Sequence, residues 1–214
     1  MATRWWIAIL WILYAFLCYL MWCIMMQYIP YNTDVAFLQI KQDVIGLPYY
    51  RVAFFTHVYT SMLVLPAGIL QFSKWIRSHL PRLHRSAGWM YSIVLILFVA
   101  PSGFIMGIHA NGGLSSQIAF CLLALLWFYF TLMALLKIKK KDFRAHQQFM
   151  IRSFALTLSA ITLRGWKYIL VLFFHPHPID VYRLTAWLGW GLNLLVAEII
   201  ILYYLQKNKN PSYF

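Results

Sequence analysis

Acidic charge is nearly missing from this chain: five Asp and Glu stand against 18 Lys and Arg in 214 residues. Charged residues are 11% of the total and hydrophobic residues 63%, with a mean hydropathy of +0.69. A soluble domain runs at about half apolar and about a quarter charged, so no soluble domain fits here. Cysteine is scarce too. Cys18, Cys23 and Cys121 all lie inside apolar runs, and the first two are five apart and off a shared helix face. That excludes a disulfide framework and a cysteine metal motif. There is no GxSxG, no HExxH and no pair of aspartates, which removes the usual hydrolase signatures. No internal repeat shows a clear period. The net charge of +13 does not imply nucleic acid, because most basic residues fall in short loops, where they set topology.

What is present is a series of long apolar runs, at residues 5–29, 52–72, 87–110, 117–136, 147–174 and 181–205. Each is long enough for the ~20 residues that cross hydrocarbon. The expectation is an all-α, polytopic membrane helical bundle, a single six-helix transmembrane domain over 1–214. The first run is too long for a cleavable signal and no small-residue cleavage site follows it, so it reads as the first span. One side of the membrane holds Arg4, Lys74, Arg77, Arg82, Arg85, the Lys137 to Arg144 cluster, Lys207 and Lys209. The other holds Lys41, Arg51 and Arg183 together with Asp34, Asp43 and Asp180. The positive-inside rule then puts both termini in the cytoplasm. Most tryptophans flank span ends and read as interfacial anchors.

A helix returns to one face every three to four residues. On the second span that face carries His57, Ser61, Val64, Gly68 and Gln71; on the fifth, His146, Met150, Ser153, Thr157, Ala160 and Arg164. On the third, His84, Gly88 and Tyr91 share a face, and an unbroken helix would keep His109 on it as well. Depth sorts the polar residues into two layers. His84, His146, Arg152 and Glu198 form the cytoplasmic layer; His57, His109, Arg164 and Lys167 form the opposite one. Ionisable groups at such depth are costly and usually face a bundle interior, a cofactor or an ion path.

Two histidines per layer suit bis-histidine haem, in which iron takes one imidazole from each of two helices. The expected ligand pairs are His57/His109 and His84/His146, with haem b as cofactor. Arg152, Arg164 and Lys167 are the expected propionate partners, because propionates favour cations. Gly88, one turn from His84, lets a flat macrocycle approach. Gln71, Tyr91 and Glu198 are further polar residues expected to be buried. The activity this points to is transmembrane electron transfer by a membrane cytochrome, not hydrolysis or group transfer. Its partners would be the bilayer and a redox partner or membrane complex. Copper or zinc is a weaker fit, since no Cys, Asp or Met cluster completes a site. The plainer alternative is a non-enzymatic membrane protein, either an assembly partner or a small-solute or proton transporter. The same residues would then serve as packing, headgroup contacts or a transport path. His175 and His177 sit in a turn that reads as rigid and exposed.

Several strings resemble a known family. They are His57 with Gly68 to Phe72, Leu83 to Tyr91, Ala110 to Gly113, His146 with Met150 to Thr157, Thr162 to Arg164, and a late Glu198. Together they are similar to bacterial predicted integral membrane proteins catalogued as domain of unknown function 2306, from about Arg51 to Glu198. The resemblance implies a helical bundle in the bacterial cytoplasmic (inner) membrane and points to His57, His84, His146, Arg152 and Arg164. Where that family usually has an arginine after the fifth-span histidine, Gln147 stands here.

Overall fold

The computed structural model describes residues 2–207. Lys209, and the side chains of Arg4 and Lys207, all used above for orientation, lie outside the described part. Among the described residues there is no strand, and the chain is a helical bundle.

The chain opens with α1 (Ala2–Met26). A short 3-10 turn (Ala36–Ile40) leads to α2 (Pro48–Leu70). The stretch between Ser73 and Ser86, which reads as a loop in the sequence, is mostly helical: α3 (Lys74–His79) and the start of α4 (Pro81–Val94). Ser73 Oγ caps α3 by accepting the Ile76 amide at 3.2 Å, and Pro81 sits in the first turn of α4, where its missing N–H costs nothing. A π-helical segment, Leu95–Val99, joins α4 to α5 (Ala100–Ile108). The positive-φ pair Gly112 and Gly113 turns the chain into α6 (Leu114–Lys139). Asp142 caps α7 (Phe143–Thr157), and α8 (Ser159–Phe174) and α9 (Pro178–Lys207) complete the bundle.

Five helices are long and apolar enough to cross a membrane, and a sixth span is formed if the bent pair α7 and α8 is one crossing. The expected fifth span is therefore broken, by 42°. The cause is a side chain inserted into the helical ladder. Asn193 Nδ2 of α9 donates to the Ala155 carbonyl at 3.1 Å and to Thr162 Oγ1 at 2.9 Å. That carbonyl would otherwise serve the amide four residues on.

The third span is also irregular. The Ala100 amide bonds the Leu95 carbonyl, a five-residue step. One such step turns everything beyond it by about one residue, or ~100°. The shared face expected of His84 and His109 is lost, and His109 is the residue that ends α5.

The core gathers α2, α4, the π segment, α6, α7 and α9 around Val64, Tyr91, Leu95, Val99, Trp127, Leu156 and Trp190. Trp127 and Trp190 are therefore packing residues, while Trp5 and Trp75 are exposed near helix starts as expected of anchors. The approach of α2 is close because Gly68 has no side chain; a Cβ there would lie 2.7 Å from Phe154 and 3.0 Å from Tyr91. By contrast α1 touches chiefly α2, and α8 leans mainly on α9.

Candidate functional site

Tyr91 of α4 is fully buried, and its hydroxyl lies 2.7 Å from Ser153 Oγ and 2.8 Å from Thr157 Oγ1, both of α7. Thr131 of α6 lies 2.6 Å from Ser153 Oγ and donates to the Trp127 carbonyl at 2.8 Å. The Trp127 indole N–H donates to Thr157 Oγ1 at 3.2 Å.

Each of the four hydroxyls has one proton to give. Thr157 Oγ1 also reaches the Ser153 carbonyl at 3.1 Å. The group is bounded by the Trp127 N–H, which only donates, and by backbone carbonyls, which only accept; between them either hydroxyl of each pair can be the donor.

This lock also sets register. Both α4 and α7 start on the side of the basic loops, so they run parallel. Tyr91 and Ser153 meet at one level, and seven residues before each stands a histidine, His84 and His146. Seven residues are nearly two whole turns, ~10 Å, so each histidine stays close to its partner's face. The two imidazoles lie within electrostatic range of each other. His146 Nδ1–H donates to the Ala134 carbonyl of α6 at 2.9 Å. That bond fixes the tautomer and leaves Nε2 with the lone pair, the arrangement a ligating imidazole takes. Gln71, at the end of α2, reaches this level. With its amide oriented to satisfy both ends, its nitrogen donates to His84 Nδ1 at 3.3 Å and its oxygen accepts the Gly88 amide at 3.0 Å. Arg77 of α3, which sequence reasoning passed over, is an exposed cation within electrostatic range of His84.

The opposite layer is different. His57 Nδ1–H donates to the Val99 carbonyl at 3.0 Å, at the end of the π segment, and a Cβ on Gly103 would lie 3.1 Å from the His57 ring. His109 has its Nε2 bonded to the Tyr49 hydroxyl at 3.0 Å and its ring edge-on to Tyr50. Both rings are plugged into the seam between α2 and the third span, with different partners. Tyr49 and His57 are eight residues apart on α2, ~12 Å along the helix. The structure therefore does not bring His57 and His109 together as a facing pair.

Other expected partners are engaged elsewhere. Arg152 forms a two-pronged pair with Glu198, Nε to Oε1 at 2.5 Å and Nη2 to Oε2 at 2.8 Å, and lies over the rings of Phe130 and Phe149. Its charge is used by the protein itself. Glu198 and Gln71 are half-buried, and of the three expected buried polar residues Tyr91 alone is fully buried. Lys167 is exposed on α8. Arg164 is half-buried, and its Nη1 donates to the Ala160 carbonyl at 2.6 Å.

Lys41 was missed as a site residue, since nothing separates a buried lysine from a solvated one in a short polar segment. It is 2% exposed, and its ammonium donates to the His109 carbonyl and to Asn111 Oδ1. Arg183 Nε donates to the Gly112 carbonyl at 2.8 Å. Lys41 thus holds the carbonyl that ends α5, where the helix dipole favours positive charge, and Arg183 holds the turn between α5 and α6. Burial pushes the Lys41 ammonium below its usual range, with Asp43 pulling the other way.

Among the described residues, no group of three or more His, Cys, Asp or Glu is placed to hold a metal ion. No curated protein and no solved structure matches the chain. The family model described as predicted membrane protein (DUF2306) matches residues 54–201, the part that holds both histidine layers and the Tyr91 circuit, and the chain belongs to that family.

Proposed function

We propose that this multi-pass membrane protein is an electron carrier that holds one haem b between His84 and His146, on the side of the basic loops. The observation that carries the reading is the register of α4 and α7. The Tyr91–Ser153 bond brings the two histidines level, and the Ala134 carbonyl fixes His146 with Nε2 available. The donor set fits a bis-histidine iron. The notch at Gly88 fits a flat group only if Gln71 yields, because a Cβ there would meet Gln71 Oε1 at 3.0 Å. Gln71 is a flexible side chain at a helix end, so its displacement is local. When bound, haem supplies a one-electron couple. The residues supply orientation: His84 and His146 as ligands, Tyr91 as spacer between their helices, and Arg77 as the cation for a propionate. Arg152, bound to Glu198, is not needed for that role. The positive-inside rule places this site and both termini in the cytoplasm, and the setting is a bacterial cytoplasmic membrane.

Proton transport through the Tyr91 group has less support. A relay must be fed by an acid or by water, and this circuit is buried and bounded by the indole N–H and carbonyl of Trp127. A second reading, a non-enzymatic assembly partner, is favoured by one observation. The Glu198 side chain is 45% exposed on the outside of the bundle at membrane depth.

The deciding experiment is an oxidised-minus-reduced visible spectrum of the purified protein, with haem counted per chain. We expect one haem with sharp reduced bands, abolished by His84→Ala and by His146→Ala and retained by His109→Ala. Colourless protein from haem-replete cells ends the haem reading. Co-purification of a stable complex in mild detergent, without colour, favours the assembly partner.

A further inference from the structure

A groove between α2 and the third span, on the side away from the basic loops, brings together a cation without a counter-ion and a hydroxyl without a partner. Its volume is about 480 Å³, and Arg51, Val52, Phe55, Thr56 and Tyr59 of α2 line it together with Phe98 of the π segment. The α2 residues recur at helical spacing and form one stripe. Val52 and Phe98 are exposed, so the groove opens on the lipid side of the bundle. Because α2 begins at the far boundary and runs inward, Thr56 lies ~7.5 Å and Tyr59 ~12 Å deeper than Arg51. Phe98, ten residues before the end of α5 at Ile108, closes the groove ~15 Å inward of that end. The groove therefore starts at the membrane boundary and descends into the hydrocarbon.

Arg51 is exposed in the first turn of α2, a turn with no acidic residue. That end of a helix is the positive end of its dipole, so the helix itself opposes a cation there. The positive-inside rule does not account for it either, since this is the other side. Among the described residues its guanidinium has no hydrogen bond and no ion pair; the salt bridges involve Lys137, Arg152 and Arg183. Guanidinium and helix end together favour an anion. Deeper in the groove, the Thr56 hydroxyl also has no partner among the described residues, while Thr60 Oγ1 donates to the Thr56 carbonyl at 2.6 Å. An unpaired hydroxyl in hydrocarbon is costly. The Tyr59 hydroxyl is spent on the Tyr28 carbonyl at 2.9 Å, which leaves its ring as wall. At the mouth the Tyr31 ring packs on Phe55, centroids 4.5 Å apart. From the boundary inward the order is cation, hydroxyl donor, apolar rings.

We propose that this groove holds one glycerophospholipid with a net-negative headgroup, in the leaflet away from the basic loops. The order of groups in such a lipid matches the order in the groove. Its phosphate takes two N–H groups of the Arg51 fork at once. An ester carbonyl, a few bonds inward of the phosphate, accepts the Thr56 hydroxyl proton. The acyl chain continues inward against Phe55, Tyr59 and Phe98. A zwitterionic headgroup fits less well, because it returns an ammonium to a place where guanidinium and helix dipole are already positive. The site lies on the opposite side from His84 and His146 and does not depend on haem.

The test uses the full chain, delipidated in detergent and titrated with phosphatidylglycerol or phosphatidylcholine, with bound lipid counted by native mass spectrometry and thermal stability followed in parallel. We expect Arg51→Gln to hold one phosphatidylglycerol fewer, with affinity for it down about tenfold or more, as for loss of a charged hydrogen bond. Thr56→Val, which keeps the shape and removes only the hydroxyl, should weaken the same lipid about fivefold, as for a neutral hydrogen bond. It serves as the readout if Arg51→Gln does not fold. Without lipid, Arg51→Gln should be at least as stable as the parent, because the helix end loses an opposing charge. Its deficit should emerge only when phosphatidylglycerol is added. A deficit already present without lipid and unchanged by it makes Arg51 a packing residue and overturns the proposal. So does phosphatidylcholine held as tightly, or an equal phosphatidylglycerol count and affinity in the protein and both variants, which assigns the lipid to the basic loops of the other side.

Discussion

The two halves of this bundle use the same few residue types to opposite ends. On the side of the basic loops, Tyr91, Ser153, Thr157 and Thr131 satisfy one another completely, and the Arg152 charge is matched by Glu198. On the far side, the buried Tyr50 hydroxyl and Ser116 hydroxyl have no partner among the described residues, and the buried Lys41 ammonium is met by neutral carbonyl oxygens in place of a carboxylate. A closed network fixes helix register and so can hold two histidines level. An open one leaves donors over, and donors left over are available to something from outside. The difference explains why the proposed cofactor lies at the closed level.

The comparison can be broken most decisively at its strongest bond. Glu198→Ala strands the Arg152 charge in the membrane and should cost about 2.5–3.5 kcal/mol of stability, on the scale for an unpaired charge in a membrane helix. Unfolding in graded SDS would show it, and a loss under 1 kcal/mol, about a fivefold change in the equilibrium, means the pair is already hydrated. Next is a matched pair of tyrosines. Tyr91→Phe removes a hydroxyl with two partners and should cost about 1–3 kcal/mol, whereas Tyr50→Phe removes an unpartnered one and should be neutral or stabilising. Equal effects in the same assay would erase the distinction between the halves.

The smallest effect concerns Lys41. Its ammonium is held below the ordinary value of 10.5 by burial. Between the folded and unfolded values the unfolded chain binds more protons, so stability rises with pH through that window. Unfolding followed from neutral pH toward 10.5 should therefore show the protein gaining on a Lys41→Met variant. A constant or reversed difference contradicts the burial of a charged lysine.

Much of the basic-side half was legible in the sequence, because an unbroken helix repeats faithfully. His146, Ser153 and Thr157 fall on one face at the expected spacing, and so do His84, Gly88 and Tyr91. What α6 contributes was hidden. Thr131 and Trp127 sit in the middle of an apolar run, and their spacing of four was the one available signal. The far half was misread wherever the period fails. The sequence puts Arg164 on the His146 face, but Asn193 of α9 takes the Ala155 carbonyl and bends the chain before Arg164 is reached. Arg152 and Glu198 were put in the same layer on depth, yet were given separate duties. Depth alone does not show that two helices touch.

The π segment at Leu95–Val99 gives the third span one residue more than an ideal helix needs. Two ends of a single span are thereby aimed independently, His84 and Tyr91 toward α7, Gly103 toward His57. Deleting one residue there would leave every named side chain in the sequence and still turn one half of the span against the other by ~100°. In this protein the length of chain between Tyr91 and Gly103 is a specification in its own right, and the apolar residues that make it up act by their number as well as by what they touch.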